Sequence, residues 1–169
     1  PDTLYRAHDL ALDRNVALKV LSPELAEDER FRERFLTESR LAASIDHPNI
    51  IPVYDAGEIE GTFYLAMRYV EGVDLETRLR LGPLTPRQSV HLLAQVASAL
   101  DAAHARGLVH RDVKPSNVLI DEQQGREHCY LADFGITTTA SDLQSADVSQ
   151  RLLGTLAYVA PEQVRGDPV

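Results

Sequence analysis

Three polar side chains with complementary chemistry crowd into one short stretch, His110-Arg111-Asp112-Val113-Lys114-Pro115-Ser116-Asn117. Asp112 can accept a proton from a hydroxyl nucleophile, Lys114 can neutralise a phosphoryl group in transit, and Asn117 can ligate a metal through its carbonyl oxygen. A second anionic ligand, Asp133, follows in Asp133-Phe134-Gly135. Carboxylate and amide oxygens are what a hard divalent cation such as magnesium takes. The set therefore suits the transfer of a phosphoryl group to a hydroxyl.

Farther upstream, Lys19 ends Val16-Ala17-Leu18-Lys19, on the face of a β-rich run that it shares with Ala17. An isolated lysine there is most simply one that snorkels to water. Glu38 alters that reading, because it shares a helical stripe with Phe31, Phe35 and Ala42 and so points inward. An inward carboxylate is costly without a cation, and Lys19 is the expected partner.

The elements that must position these groups can be read from periodicity and turn chemistry. Val16–Leu21 reads as a strand, and Ser22-Pro23 as the entry to a helix running to about Ser44, before Asp46-His47-Pro48. Ile50–Tyr54 and Thr62–Val70 read as strands joined by a turn over Gly57–Gly61. A change of character at Glu71-Gly72 divides the chain into residues 1–71, rich in strands, and residues 72–169, which open helical. Thr85-Pro86-Arg87-Gln88 matches a capping box, Val90, Leu93, Ala97, Leu100 and His104 mark the expected buried stripe, and Gly107 the stop. Val118–Ile120 and His128–Ala132 read as paired short strands across Gln123-Gln124-Gly125. The Ser/Thr/Asp-rich segment from Thr137 to Gln150 reads as a surface loop.

Composition narrows the function classes. The 169 residues fit one ordinary domain, with 44% hydrophobic residues for a core. A formal net charge of −9 argues against nonspecific nucleic-acid binding, which needs a basic face. The single cysteine, Cys129, excludes an internal disulfide and fits a reducing, cytoplasmic compartment. No apolar run approaches the roughly 18 residues of a membrane span, and no signal-peptide pattern opens the chain. Pro1 in place of an initiator methionine points to a natural start farther upstream.

Together, the 110–117 stretch and Asp133-Phe134-Gly135 resemble the catalytic loop and metal-binding turn of protein kinases. Val16-Ala17-Leu18-Lys19 with Glu38 resembles that family's strand lysine and helix glutamate. The phrase His47-Pro48-Asn49-Ile50-Ile51-Pro52-Val53-Tyr54-Asp55-Ala56-Gly57-Glu58 is similar to bacterial kinases of the eukaryotic type. The resemblance covers essentially the whole chain and implies an α+β, two-lobed fold. Its small β-rich lobe carries one main helix, and the first part of a mostly helical large lobe follows. It also implies ATP and magnesium as cofactors and Ser/Thr hydroxyls of proteins as acceptors, with Lys114 favouring these over tyrosine. Asp112, Lys114 and Asn117 would be catalytic, Asn117 and Asp133 would hold metal, and Lys19 would hold the α/β-phosphates. Leu4, Ala17 and Leu119 would enclose the adenine, with Met67 as gatekeeper and Arg68-Tyr69-Val70 as the hinge whose Val70 backbone reads the base. Asp74 would lie near the ribose, and Ala42, Val53, His110 and Phe134 would stack between the lobes.

Regulation is implied as well. Arg111 stands where many kinases bind a phosphorylated activation segment, which here spans Asp133 to Ala160-Pro161-Glu162. Ser149 is the expected autophosphorylation site, self-association would serve that step, Asp147 could mimic part of the charge, and Thr155 would contact the acceptor residue. Ser116 replaces the glutamate of relatives that favour basic substrates, so no preference for arginine near the target is implied. The chain departs from the family pattern at Asp2, which occupies the place of the last glycine of the Gly-rich loop. It also stops where the family continues with further helices, among them the usual arginine partner of Glu162. The resemblance thus describes a chain truncated at both ends, weakly active or inactive alone. Such relatives often carry a membrane span and sensor beyond the kinase domain. The alternative reading is a noncatalytic kinase-like binding module.

Overall fold

Four short strands make the first sheet, and the last of them in chain order alternates strictly between buried and half-buried positions. In the computed structural model, which describes residues 2–23, 28–121, 127–134 and 156–165, β1 (Thr3–Asp9) and β2 (Arg14–Val20) form an antiparallel hairpin. β3 (Val53–Ile59) and β4 (Thr62–Arg68) form another, and β2 pairs with β4 to give the order β1-β2-β4-β3. Phe63, Leu65 and Met67 alternate inward along β4. The turn between β3 and β4 is tighter than Gly57–Gly61: only Glu60 (φ 51) and Gly61 (φ 73) make it, a left-handed pair that tight hairpins demand. Gly57 lies within β3, where its alpha carbon is packed under the Tyr64 ring.

The main helix, α1 (Glu29–Ala43), lays Phe31, Phe35 and Ala42 against this sheet, all almost completely buried. Phe63 meets both phenylalanines, with ring centroids 5.7 and 5.0 Å away. Burying each ring contributes about 1.5–3 kcal/mol over leaving it in water. The helix starts at Glu29, not at Ser22-Pro23 as expected. Asp28, an exposed residue with no apolar contact to offer the sheet, precedes Glu29 outside the helix, and residues 24–27 lie outside the described residues. The strand expected over Ile50–Tyr54 is likewise displaced to begin at Val53, because Ile50 and Ile51 are used elsewhere.

They join the two halves of the molecule. Ile50 bridges Leu131 in parallel, Ile51 N–H donates to Leu131 O at 3.0 Å, and Leu131 N–H donates to Asn49 O at 2.8 Å. Leu131 belongs to the second sheet, built of β5 (Gly72–Asp74), β6 (Val118–Asp121) and β7 (His128–Leu131) in that order. The Asn49 amide donates to Gln95 Oε1 at 2.8 Å and Cys129 O at 2.9 Å, fixing the loop after α1 to both β7 and the following helix. A continuous apolar core runs from Leu21 and Phe35 through Ile50 and Leu131 to Leu92 and Ala103.

α2 (Leu75–Arg80) follows β5 directly and is capped by Asp74, whose Oδ1 accepts from Thr77 N–H at 2.8 Å. α3 (Pro86–His104) begins as expected, with a full capping box between Thr85 and Gln88 and proline at its start. It ends at His104, and Gly107 (φ 74) reverses the chain. The buried stripe, however, is Leu92, Val96, Ala99 and Ala103, while Val90 is 68% and Leu93 63% exposed. The helix is apolar on two faces, and packing against β7 selects the one that periodicity did not favour. A short helix, α4 (Pro161–Arg165), follows Ala160. The expected turn at Gln123–Gly125 and loop at Thr137–Gln150 lie outside the described residues. Among the described residues no helix is long and apolar enough to cross a membrane.

Candidate functional site

The segment between α3 and β6 is held by its own polar groups. Pro115 opens a 3-10 turn ending at Asn117, which is buried and closed by Asn117 N–H donating to Lys114 O at 3.0 Å. The Asn117 amide donates to Asp112 O at 2.8 Å and to Asp112 Oδ2 at 3.1 Å. Lys114 Nζ donates to the same Oδ2 at 2.7 Å. Asp112, Lys114 and Asn117 thus form one cluster. With the Asn117 NH₂ spent on Asp112, its carbonyl oxygen is the amide's remaining ligand atom.

His110 anchors the cluster from below. Its Nδ1 accepts from Asp112 N–H at 3.2 Å, so the ring proton sits on Nε2, which donates to Ala132 O at 2.9 Å. Burial pushes the imidazole below its usual 6.5, outweighing the opposing pull of the Ala132 bond and of the Asp112 and Asp133 charges. A neutral, 1% exposed ring packed against Phe134, with centroids 4.7 Å apart and planes inclined by 42°, is scaffolding rather than a base. Two non-glycine residues flanking this centre carry positive φ, Arg111 at 61° and Asp133 at 56°. Such strain costs of order 1–3 kcal/mol each and gathers where chemistry dictates backbone direction.

Strand register gathers the other expected residues. Leu4 lies opposite Lys19, Lys19 opposite Leu65, and Ala17 opposite Met67, so Leu4, Ala17, Lys19 and Met67 share one face of the first sheet. Met67 is buried, while Leu4 is 67% exposed. On the facing sheet, Asp74 lies opposite Leu119. Val70, between the two sheets, packs against the core. Burial would raise the Asp74 carboxyl, but the Thr77 backbone and hydroxyl bonds hold it below its ordinary value. Ala42, Val53 and Phe134 line one small apolar cavity beneath Lys19, together with Leu65 and Met67.

The expected Lys19–Glu38 pair is not formed. Lys19 Nζ donates to Asp133 Oδ1 at 3.1 Å and lies 3.8 Å from Asp2 Oδ2. Glu38 instead accepts from Arg111 Nη1 at 2.7 Å. Glu38 does point inward, as periodicity requires, with its side chain only 12% exposed; its partner is what differs from expectation. The position of α1 over residues 107–111 brings a guanidinium within reach of Glu38, and two other carboxylates converge on Lys19. The same bond occupies the guanidinium that the resemblance reserves for a phosphorylated segment.

Sequence reasoning also missed Gln163, whose Nε2 donates to Arg111 O at 2.8 Å while Ala160 N–H donates to its Oε1 at 3.1 Å. That bridge ties α4 to the strained backbone before Asp112, and no local pattern announces it. Gly135, Asp147, Ser149 and Thr155 lie outside the described residues.

Known proteins share this fold. The family described as "Protein kinase domain" matches residues 3–169. Serine/threonine-protein kinase PknH of Mycobacterium bovis is 42% identical over 167 residues, covering 98% of this chain and 27% of that protein. Serine/threonine-protein kinase PknE of the same species is 44% identical over 161 residues, covering 95% of the chain and 28% of that protein. The chain thus spans roughly a quarter of the length of these relatives. Among solved structures, the PknI kinase domain of Mycobacterium tuberculosis superposes with a TM-score of 0.77 at 37% identity, covering 98% of this chain and 59% of that one. Rad53 1-466 in complex with AMP-PNP superposes with a TM-score of 0.76 at 28% identity, covering 97% and 39%.

Proposed function

Because this chain belongs to the protein kinase family, whose fold it shares, we propose that the protein transfers the γ-phosphoryl group of ATP to Ser/Thr hydroxyls of protein substrates. The observation that carries this reading is the bonded cluster of Asp112, Lys114 and Asn117, with Asp133 ion-paired to Lys19 nearby. Asp112 orients the acceptor hydroxyl and takes up its proton, and Lys114, already in contact with it, steadies negative charge on the moving group. Lys19 serves the α/β-phosphates. The adenine fits between Leu4, Ala17 and Met67 on one side and Leu119 on the other, with Val70 backbone groups at its edge and Asp74 toward the ribose.

Asn117 and Asp133 would hold magnesium, which when bound neutralises phosphate charge. Their donor set suits it: one amide oxygen and one carboxylate leave most of the coordination to phosphates and water, the habit of this ion. Among the described residues, no group of three or more His, Cys, Asp or Glu could hold a metal unaided. Residues 1–71 act as the small lobe and 72–169 as the start of the large one. The partners are protein substrates and, for autophosphorylation, a second copy of the protein, in the cytoplasm.

The second reading, a kinase-like binding module without turnover, is favoured by the pairing of Lys19 with two carboxylates and of Glu38 with Arg111. The full-length protein separates the two. Mg-ATP should raise its thermal midpoint and label Ser/Thr in a protein acceptor, and Asp112→Asn should cut turnover by about 10²–10⁴ while leaving nucleotide affinity intact. Stabilisation without labelling would select the binding module. Absence of both responses would also select the binding module, one whose Lys19 stays with its carboxylates.

A further inference from the structure

Lys19 is held between two anions, and only one of them belongs to the transfer chemistry. Asp133 accepts from Nζ at 3.1 Å on one side, and Asp2 Oδ2 lies 3.8 Å away on the other. All three groups lie close to the sheet, with side chains 13% (Lys19), 17% (Asp2) and 37% (Asp133) exposed. Asp2 does not swing free at the edge of β1. Its other oxygen, Oδ1, accepts from Ser22 N–H at 3.3 Å, which pins the carboxylate over the end of β2 where Lys19 emerges. Asp2 therefore presents a fixed negative charge to the ammonium meant for the phosphates. An incoming triphosphate must take the same N–H donors and then tolerate a like charge beside it.

Resting on the nucleotide-site reading above, we propose that Asp2 is a built-in anion that occupies Lys19 in place of phosphate and lowers the site's affinity for polyphosphate nucleotides. Adenosine, which carries no phosphate, is untouched by it. Triphosphate binding is thereby made conditional on displacement of the Asp2 side chain.

The test compares Asp2→Asn and Asp2→Gly with the wild type in the full-length protein, titrating Mg-ATP and adenosine by calorimetry. Asparagine keeps an oxygen for the Ser22 N–H while removing the charge, so it separates electrostatics from loop structure; glycine removes both. Both variants should bind Mg-ATP at least about tenfold tighter, because a unit charge at this range outweighs that factor even at the moderate dielectric of a protein surface. Adenosine affinity should stay within about twofold of the wild type, and the Mg-ATP difference should shrink as salt is raised. Unchanged or weaker Mg-ATP binding by the asparagine variant would overturn the role of Asp2 while leaving the nucleotide site standing. Parallel shifts for ATP and adenosine would overturn it too, as a purely structural effect. If no form binds either ligand, the nucleotide-site reading falls and takes this inference with it.

Discussion

Glu38 offers the sharpest check on the ion-pair arrangement. Its carboxylate meets Arg111 at 2.7 Å, with the two side chains 12% and 29% exposed. Fully exposed pairs couple by about 0.2–1 kcal/mol, whereas breaking a fully buried one costs about 3–5 kcal/mol. A short, charge-assisted bond at this intermediate depth should couple by about 1–2 kcal/mol. The measurement is a double-mutant cycle on urea unfolding, using Glu38→Gln, Arg111→Gln and the double variant. Glutamine at 38 keeps the length and an acceptor oxygen but removes the charge, and the Gln163 bond to the Arg111 carbonyl survives substitution of the side chain. A parallel cycle pairs Glu38→Gln with Lys19→Met. The structure requires coupling of about 1–2 kcal/mol in the first cycle and no more than about 0.5 kcal/mol in the second, the level of residues without a shared contact. Larger coupling between Glu38 and Lys19 than between Glu38 and Arg111 would refute the assignment and restore the pairing expected from sequence.

Other consequences are as direct. Because burial holds His110 below 6.5, the unfolded chain takes up a proton there that the folded chain resists; stability from this group is intact above pH 6.5 and falls as pH drops below it. Thermal midpoints recorded from pH 8 to 5 should decline more gently in His110→Gln, and an identical decline would remove His110 as the cause. At Gly72 an added Cβ would sit 1.9 Å from Ile120 O, a backbone atom that cannot turn aside. Gly72→Ala should therefore pry β5 from β6 at a cost of about 1–3 kcal/mol, lowering the melting temperature by about 2–4 °C per kcal/mol; an unchanged melt would contradict the strand spacing. Cys129 is fully buried, and its thiol is pushed up to about 11 by desolvation. A disulfide reagent at pH 8 should leave it unmodified in the folded protein and react fully after denaturation, and rapid native labelling would show that it is not enclosed as described.

What residues near one another in the chain could settle, they settled. The capping box at Thr85 and Gln88 is closed by side chains three positions apart. The Asp112–Lys114–Asn117 cluster closes within a single turn, and β6 and β7 pair in the order their residues imply. In each case the partners are fixed by a few dihedral angles, so spacing carries the information. Inward orientation of Glu38 was equally readable, because helical periodicity needs only α1 itself. Its partner was not. Whether that carboxylate meets Lys19 or Arg111 depends on where a rigid helix settles against a segment 73 positions away in the chain. The covered face of α3 was undetermined for a related reason, since Val90 and Leu93 are as apolar as Leu92 and Val96 and only docking against β7 distinguishes them. Short-range hydrogen bonding and periodicity were inscribed in the chain itself, whereas the choice among chemically equivalent long-range partners was made by the packing of whole elements.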